Sequence, residues 1–172
     1  MHDQVAYHQT VYATPGLPRF EYSQVADRLY AGRNPLTALD VAELAGLGIT
    51  HTLDLREPHE WQAPRFGDEA LAEISRRGIT RHHLPVADAG VPTPEQLERA
   101  VIFLRGALRE PNFKVYVHCR AGIERTSAVL VAYWGLTWGM TYDQALNALR
   151  KGRPSLRRHG EAEVAQWLAS GR

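Results

Sequence analysis

Two apolar segments with different patterns flank a short polar loop in the second half of the chain. The first segment, FKVYVHC at 113–119, is rich in β-branched and aromatic residues and predicts a strand in the middle of a sheet. The second, ERTSAVLVAYWGLTWG at 124–139, is apolar on most faces of a helix and predicts a buried helix. A buried strand that runs directly into a buried helix is typical of layered α/β folds.

The rest of the chain alternates between strand and helix patterns, which favours an α/β fold with a central, mostly parallel sheet flanked by helices. A capping box at Thr93 and Gln96, with Pro94 in the first helical position, predicts a helix that ends near Arg109. Thr141 begins a second capping box. The other predicted strands lie at 25–32, 49–56 and 79–88, the other helices at 37–48, 71–78, 142–152 and 161–170, and a loop at 57–70.

A length of 172 residues is most simply one domain over 1–172, in which residues 1–22 form an N-terminal arm that packs on the body or stays loose. The formal net charge is +1, so no nucleic-acid partner is expected. No apolar run approaches the roughly 20 residues that span a bilayer, so no membrane insertion is expected. The single cysteine excludes an internal disulfide and, without a signal-peptide pattern, favours a cytoplasmic location. The oligomeric state stays open.

The loop between the two apolar segments has the features of an anion site built around Cys119. In a parallel sheet, ligands bind beyond the carboxyl ends of the strands, where the next helix begins. Gly122 permits a tight turn there, and the N–H groups of such a turn bind anions together with a helix N-terminus. Arg125 adds a planar guanidinium that can hold two oxygens at once. The same groups favour the thiolate of Cys119, which would be a nucleophile beneath a bound phosphate.

The residues His118 to Thr126, HCRAGIERT, resemble the H-C-x5-R-[ST] signature of cysteine-dependent protein tyrosine phosphatases. The size of the chain is similar to that of the dual-specificity branch, and this resemblance implies a dual-specificity phosphatase-like fold. The segments LYAGRNP, ITHTLDLR, LPVAD and ALNALRKGRP also resemble segments of that branch, so that the likeness covers about residues 25 to 170.

The resemblance implies a role for each residue of the loop. Cys119 would attack phosphorus and form a cysteinyl-phosphate intermediate, and Thr126 would donate its hydroxyl to the sulfur. His118 would support the loop by a hydrogen bond to its backbone. The phosphate oxygens would be held by the guanidinium of Arg125 and by the backbone of Arg120, Ala121, Gly122, Ile123, Glu124 and Arg125. No metal and no cofactor are expected, and His59, His82 and His83 are expected to be structural or surface residues.

A phosphatase of this family also needs a general acid on a separate loop, because the leaving oxygen must take up a proton. In the family this acid is an aspartate about thirty residues before the cysteine, a spacing that favours Asp88 in the segment LPVADAGVPTP. Asp54, within a predicted strand, and Asp68, farther from Cys119, are the alternatives.

Two residues of the loop raise separate questions. Glu124 stands where many relatives have a small or polar residue, and it is expected to point outward and pair with Arg120 or another cation. Arg120 is either a solvated residue or a source of positive charge that favours substrates with several phosphates. The basic run RKGRPSLRR at 150–158 is expected to be a solvated helix end.

The function that these features favour is hydrolysis of phosphotyrosine, with phosphoserine and phosphothreonine as further substrates if the site is shallow. The partner is therefore a phosphorylated protein or a small phosphate ester. An inositol phosphate or phosphoinositide phosphatase with the same chemistry is the first alternative. A phosphate-binding module without turnover is the second, and a sulfurtransferase of the rhodanese kind fits Arg125 and Thr126 poorly.

Overall fold

The computed structural model describes residues 19–62 and 67–171. Its centre is a five-stranded sheet in the order β1-β2-β5-β3-β4, in which β2, β5, β3 and β4 are parallel and β1 is antiparallel to β2. The predicted central, mostly parallel sheet with flanking helices is confirmed. The strands are β1 (Tyr22–Ala26), β2 (Leu29–Gly32), β3 (His51–Asp54), β4 (Thr80–His83) and β5 (Val115–His118).

Helices cover both faces of this sheet, and apolar side chains fill the space on each side. The larger cluster joins β5 to the helices of the C-terminal half, and the smaller one packs α1 and α3 against Tyr116. No helix in the described part of the chain is both long and apolar enough to span a membrane. The helices are α1 (Ala38–Gly46), α2 (His59–Gln62), α3 (Asp68–Arg76), α4 (Pro94–Arg109), α5 (Arg125–Trp138), α6 (Tyr142–Arg150) and α7 (Glu161–Ala169).

The capping boxes set the first turns of α4 and α6 as the sequence indicates. Thr93 Oγ1 accepts a hydrogen bond from Gln96 N at 3.2 Å, and Gln96 Oε1 accepts one from Thr93 N at 2.9 Å. Thr141 and Gln144 make the same pair of bonds at the start of α6. Each box satisfies amide groups that have no partner within the helix, which fixes where the helix begins.

The predicted strand over 25–32 is wrong, because the chain reverses at Asp27 and Arg28 and forms the β1–β2 hairpin. Arg28 has φ of 56°, and its guanidinium donates to the backbone oxygens of Leu108 and Glu110 at the C-terminal end of α4. These bonds hold a left-handed turn residue that a strand pattern cannot predict.

The predicted N-terminal arm falls mostly outside the described residues, since residues 1–18 are not among them. Its last part is not loose: Phe20 is buried between the rings of Tyr22 and Tyr116, and Tyr22 begins β1. The segment at 19–22 is therefore part of the body of the fold.

Two further element predictions need correction. The segment at 57–70, predicted as a loop, contains α2, and α3 begins within it at Asp68. The strand predicted over 79–88 ends at His83, so Asp88 lies on an irregular connection before α4. Both connections, at 57–70 and between β4 and α4, place polar side chains at the carboxyl edge of the sheet, where β5 ends.

Candidate active site

Cys119 directly follows β5, between β2 on one side and β3 on the other. It is a free cysteine that is 3% exposed, at the bottom of a cavity of about 230 Å³. Residues 119–124 curl over it, and α5 begins at Arg125. The cavity is lined by Asp88, Ala89, Cys119, Arg120, Ala121, Ile123, Glu124, Arg125 and Arg157.

Gly122 makes the tight turn of this loop possible for two reasons. Its φ is +69°, a left-handed conformation that strains any residue with a Cβ. In addition, a Cβ at this position would lie 2.1 Å from the backbone oxygen of Gly32, at the end of β2. The loop and β2 therefore approach each other backbone to backbone, which fixes the height of the loop above the sheet.

The carbonyl groups of the loop are all held from outside the cavity. Arg120 O accepts from Asn34 N at 3.0 Å, and Ile123 O accepts from Arg157 N at 3.1 Å. The guanidinium of Arg153 donates to Gly122 O at 2.9 Å and to Ala121 O at 3.2 Å.

The amide groups of the same loop differ from its carbonyls. Within the described residues, none of the N–H groups of residues 121–125 donates to a protein acceptor. Because the N–H and C=O of one peptide unit point in opposite directions, the carbonyls of residues 120–123 that are held on the outside turn the amides of residues 121–124 inward. Four inward-facing donors in the loop that follows a buried sulfur provide a site for a tetrahedral anion.

Arg125 is buried, and its position is fixed by Glu60 on α2. Its Nη1 and Nη2 lie 2.8 Å and 2.7 Å from the two carboxylate oxygens of Glu60, and Nη1 also donates to Val86 O at 3.0 Å. Burial alone would lower the pKa of Arg125, but the bond to Glu60 raises it above its ordinary value. Burial alone would raise the pKa of Glu60, but the bond from Arg125 lowers it. Both groups are therefore ionised.

Glu60 was missed by sequence analysis, which placed it in a loop without chemistry. No local pattern points to it, because it lies far from Arg125 in the chain and meets it only through the fold. The one available signal is physical: a buried guanidinium requires a carboxylate partner.

Thr126 and His118 contact Cys119 directly. Thr126 Oγ1 lies 3.2 Å from Cys119 Sγ and can donate its proton to the sulfur. His118 Nδ1 lies 3.1 Å from Cys119 O, and since a carbonyl oxygen only accepts, Nδ1 carries the proton. Complete burial lowers the pKa of His118 to about 4, so the imidazole is neutral near pH 7.

Asp54, one of the alternatives for the general acid, lies below the loop and outside the cavity. It is fully buried at the end of β3, where it pairs with Arg56 at 2.8 Å and Arg81 at 3.0 Å. Burial would raise the pKa of Asp54, but the positive charges around it, from His118 when protonated and from the two arginines, lower it below its usual range. This carboxylate stays ionised and has no proton to donate near neutral pH.

Asp88 is the aspartate that the structure places at the cavity. Its Oδ1 lies 3.2 Å from Arg125 Nη2, and its Oδ2 lies 3.7 Å from Arg120 Nη1. The side chain is 46% exposed, which leaves room for a substrate to approach it. Asp68, the remaining alternative, is exposed at the start of α3 and does not line the cavity.

Charged side chains ring the mouth of the cavity. Glu124 points outward, with its Oε1 3.5 Å from Arg157 Nη1. Arg120 and Arg157 are more than half exposed, and both line the cavity. The positive charge at the mouth is therefore partly balanced by Asp88 and Glu124.

The prediction that the basic run at 150–158 is a solvated helix end is wrong for Arg153. This residue is 1% exposed and lies beneath the loop, where it also pairs with Glu21 and donates to Ser23 Oγ at 3.1 Å. Arg158 does lie at the surface, in ion pairs with Asp143 and Glu161. The sequence could not separate the two, because a run of arginines carries no periodicity that marks one as buried.

Comparison with known proteins identifies a family that the chain resembles over most of its length. The family model described as "Dual specificity phosphatase, catalytic domain" matches residues 29–164. Dual specificity protein phosphatase 26 of Homo sapiens is 30% identical over 125 residues, which are 73% of this chain and 56% of that protein, and the Mus musculus protein matches equally. The chain thus spans little more than half the length of these relatives.

Solved structures share the fold over most of the chain. The crystal structure of PTPMT1 in complex with PI(5)P has a TM-score of 0.74 at 20% identity, covering 87% of this chain and 95% of that one. The crystal structure of Tk-PTP in the active form has a TM-score of 0.71 at 25% identity, with the same shares covered. At these identities the likeness concerns the arrangement of the sheet and helices.

Proposed function

Because this chain belongs to the dual specificity phosphatase family, we propose that it hydrolyses phosphate monoesters through a cysteinyl-phosphate intermediate. The observation that carries this proposal is that, within the described part of the chain, the backbone carbonyls of the loop have hydrogen-bond partners and its backbone amides do not. The carbonyls of residues 120–123 are held by surrounding donors, whereas the amides of residues 121–125 have no acceptor among the described residues. Such a loop is preorganised for a dianion before the substrate arrives.

In the first step, the thiolate of Cys119 attacks phosphorus, the S–P bond forms and the ester P–O bond breaks. The amides and the guanidinium of Arg125 stabilise the negative charge on the three non-bridging oxygens. The carboxyl group of Asp88, at the rim of the cavity, gives its proton to the leaving oxygen. Asp88 is within reach of a phosphate held by Arg125, since the two side chains are 3.2 Å apart.

In the second step, water attacks phosphorus and the carboxylate of Asp88 takes a proton from it. The S–P bond breaks, its electron pair returns to sulfur as the thiolate of Cys119, and inorganic phosphate leaves. The hydroxyl of Thr126, 3.2 Å from Sγ, stabilises the departing thiolate. No metal takes part in this scheme, because the loop and Arg125 supply the positive charge.

The proposed substrate is phosphotyrosine in a protein, together with phosphoserine and phosphothreonine. The cavity of about 230 Å³ lies below the range of roughly 300–1,000 Å³ that encloses whole small ligands. It suits a phosphoryl group and leaves the rest of the substrate at the surface, which favours acceptance of side chains of different length.

A phosphoinositide or inositol phosphate is the second candidate substrate. It is favoured by Arg120 and Arg157 at the mouth, which could contact additional phosphate groups. The structural neighbour PTPMT1 was crystallised in complex with PI(5)P, which supports the same candidate at the level of the fold.

The test compares the wild type with Cys119→Ser on a phosphotyrosine peptide, a phosphothreonine peptide and phosphatidylinositol 5-phosphate. We expect phosphate release by the wild type on the peptides and a loss of at least about a thousandfold in Cys119→Ser, because the hydroxyl is a much weaker nucleophile. Faster release from the lipid than from both peptides would select the second candidate. Binding of phosphate without any release by the wild type would leave a phosphate-binding module as the function.

A further inference from the structure

His159 connects the segment that carries Asp88 to the loop that follows Cys119. Its Nε2 lies 2.7 Å from Gly90 O, and its Nδ1 lies 3.9 Å from Glu124 Oε2. Because a carbonyl oxygen only accepts, Nε2 carries a proton and donates it to Gly90. The side chain is only 15% exposed, so water competes little for this bond.

The backbone of His159 is itself held by a buried tyrosine. Tyr142 Oη accepts from His159 N at 2.9 Å and donates to His159 O at 3.2 Å. Tyr142 is 4% exposed in the first turn of α6, which is anchored by its capping box. The backbone of His159 is therefore fixed to a helix, and the ring reaches from that fixed point to Gly90.

The segment that His159 contacts is strained. Ala89 has φ of +58°, a left-handed conformation that a residue with a Cβ rarely adopts. Such a conformation persists only where surrounding contacts hold it. Gly160 supplies a second contact, because a Cβ on it would lie 2.4 Å from Val91 Cγ1, so residues 160 and 91 are packed closely.

On the other side, Asp88 itself has weaker supports. Its amide donates to Glu57 Oε2 at 3.3 Å, and its half-exposed carboxylate accepts from Arg125 at 3.2 Å. Gly90 N donates to Ala87 O at 2.8 Å, which closes the turn but does not attach it to the body of the protein. The short hydrogen bond from His159 to Gly90 O attaches the C-terminal end of this turn to the body of the protein.

We propose that His159 is a positioning residue for Asp88, which it holds over Cys119 by its bond to Gly90. This inference rests on the proposed function, in which Asp88 is the general acid. Without the bond, the strained turn at 88–90 relaxes towards solvent and the carboxyl group spends less time at the leaving oxygen. The loss concerns proton transfer, while the phosphate-binding loop keeps its geometry.

The test replaces His159 by phenylalanine, which has a similar shape and no donor. We measure kcat/KM, which reports cleavage of the ester bond, on phenyl phosphate and on p-nitrophenyl phosphate. Phenoxide needs a proton to leave, whereas nitrophenoxide needs little help, so we expect a loss of about tenfold on the first substrate and less than about twofold on the second. His159→Gln, which keeps a side-chain N–H donor, should recover part of the loss.

A double-mutant cycle and a structural measurement complete the experiment. In an Asp88→Asn background, His159→Phe should cause no further loss on phenyl phosphate, because the group that it positions is already gone. Amide hydrogen exchange of residues 88–91 should be faster in His159→Phe than in the wild type. His82→Phe, which replaces an imidazole stacked on Phe103, is the matched control and should change neither result.

Equal losses on both substrates, an undiminished loss in the Asp88→Asn background, or unchanged exchange at 88–91 would each overturn the role of His159. Absence of Cys119-dependent hydrolysis by the wild type would instead overturn the proposed function. The exchange measurement separates the two, because it detects the attachment of the turn without any turnover.

Discussion

Arg125 carries a full positive charge in a position that is 3% exposed, and Glu60 balances this charge from a position that is equally buried. The bidentate geometry fixes the plane of the guanidinium before any substrate arrives. A lysine could not be held in this way, because an ammonium group has no plane to orient. The ion pair therefore orients the guanidinium of Arg125. Removal of one partner would leave an uncompensated buried charge.

For Glu60→Gln we expect the free energy of unfolding to fall by about 3 kcal/mol, because the buried guanidinium of Arg125 loses its counter-charge. Urea denaturation followed by tryptophan fluorescence measures the change. Glu163→Gln, at an exposed position on α7, is the control and should stay within about 0.5 kcal/mol of the wild type. A Glu60→Gln protein as stable as this control would show that the pair does not balance a buried charge.

At the residue scale, the sequence predicts those parts of the site that lie close together in the chain. Cys119, Arg125 and Thr126 belong to one short motif, and the structure brings them together at the end of β5. Glu60 and Arg153 contact the same loop from distant segments. Their roles depend on long-range packing of a buried charge, which local patterns do not encode.

Among the elements, the loop at 119–124 depends on its close approach to β2. Gly122 has a left-handed φ, and a Cβ added to it would lie 2.1 Å from Gly32 O. This oxygen belongs to β2 and cannot move without shifting the strand. The loop is thus shaped by the sheet beneath it as much as by its own sequence.

We expect Gly122→Ala to lower the free energy of unfolding by about 3 kcal/mol and to abolish vanadate binding, because the Cβ displaces the loop from β2. Gly106→Ala is the matched control: Gly106 lies within α4, with no atom within 4 Å of an added Cβ. That change should instead stabilise the protein by about 1 kcal/mol, since alanine favours helices over glycine. Thermal unfolding with and without vanadate distinguishes the two, and equal behaviour would refute the steric argument.

The elements that the sequence predicted well are those whose boundaries have a chemical marker. Thr93 and Thr141 cap their helices, and the apolar pattern of α5 matches its burial. The β1–β2 hairpin was missed because its turn, at Asp27 and Arg28, contains none of the glycine or asparagine residues that mark such turns. α2 was missed because a helix of four residues is too short to show a period.

At the scale of the whole molecule, the buried ionisable groups make stability depend on pH. Burial lowers the pKa of His118 to about 4, whereas an unfolded histidine has a pKa of about 6.5. As the pH falls below about 6.5, the unfolded chain takes up this proton before the folded protein does, so the folded state loses stability. Asp54 acts in the same direction at lower pH, because its lowered pKa stabilises the fold above about pH 4 and this stabilisation is lost on further acidification.

The free energy of unfolding should therefore fall by about 3 kcal/mol between pH 6.5 and pH 4 through His118 alone. Burial also lowers the pKa values of His51 and His82, which adds to the same slope. His118→Asn cannot titrate and should flatten the slope, whatever its stability at pH 7. Urea titrations at several pH values measure this slope, with exposed His59→Asn as the control. Parallel slopes for His118→Asn and the wild type would contradict the assignment.

Arg153 joins the segment before β1 to the loop at 119–124, since its guanidinium contacts both Glu21 and the carbonyls of Ala121 and Gly122. During synthesis on the ribosome, Cys119 emerges well before Arg153 does. A nascent chain that has exposed Cys119 but not Arg153 would therefore lack the hydrogen bonds that hold the carbonyls of Ala121 and Gly122 on the outside of the loop. Under the proposed function, the anion site would be complete only after Arg153 has left the ribosome and packed against the loop.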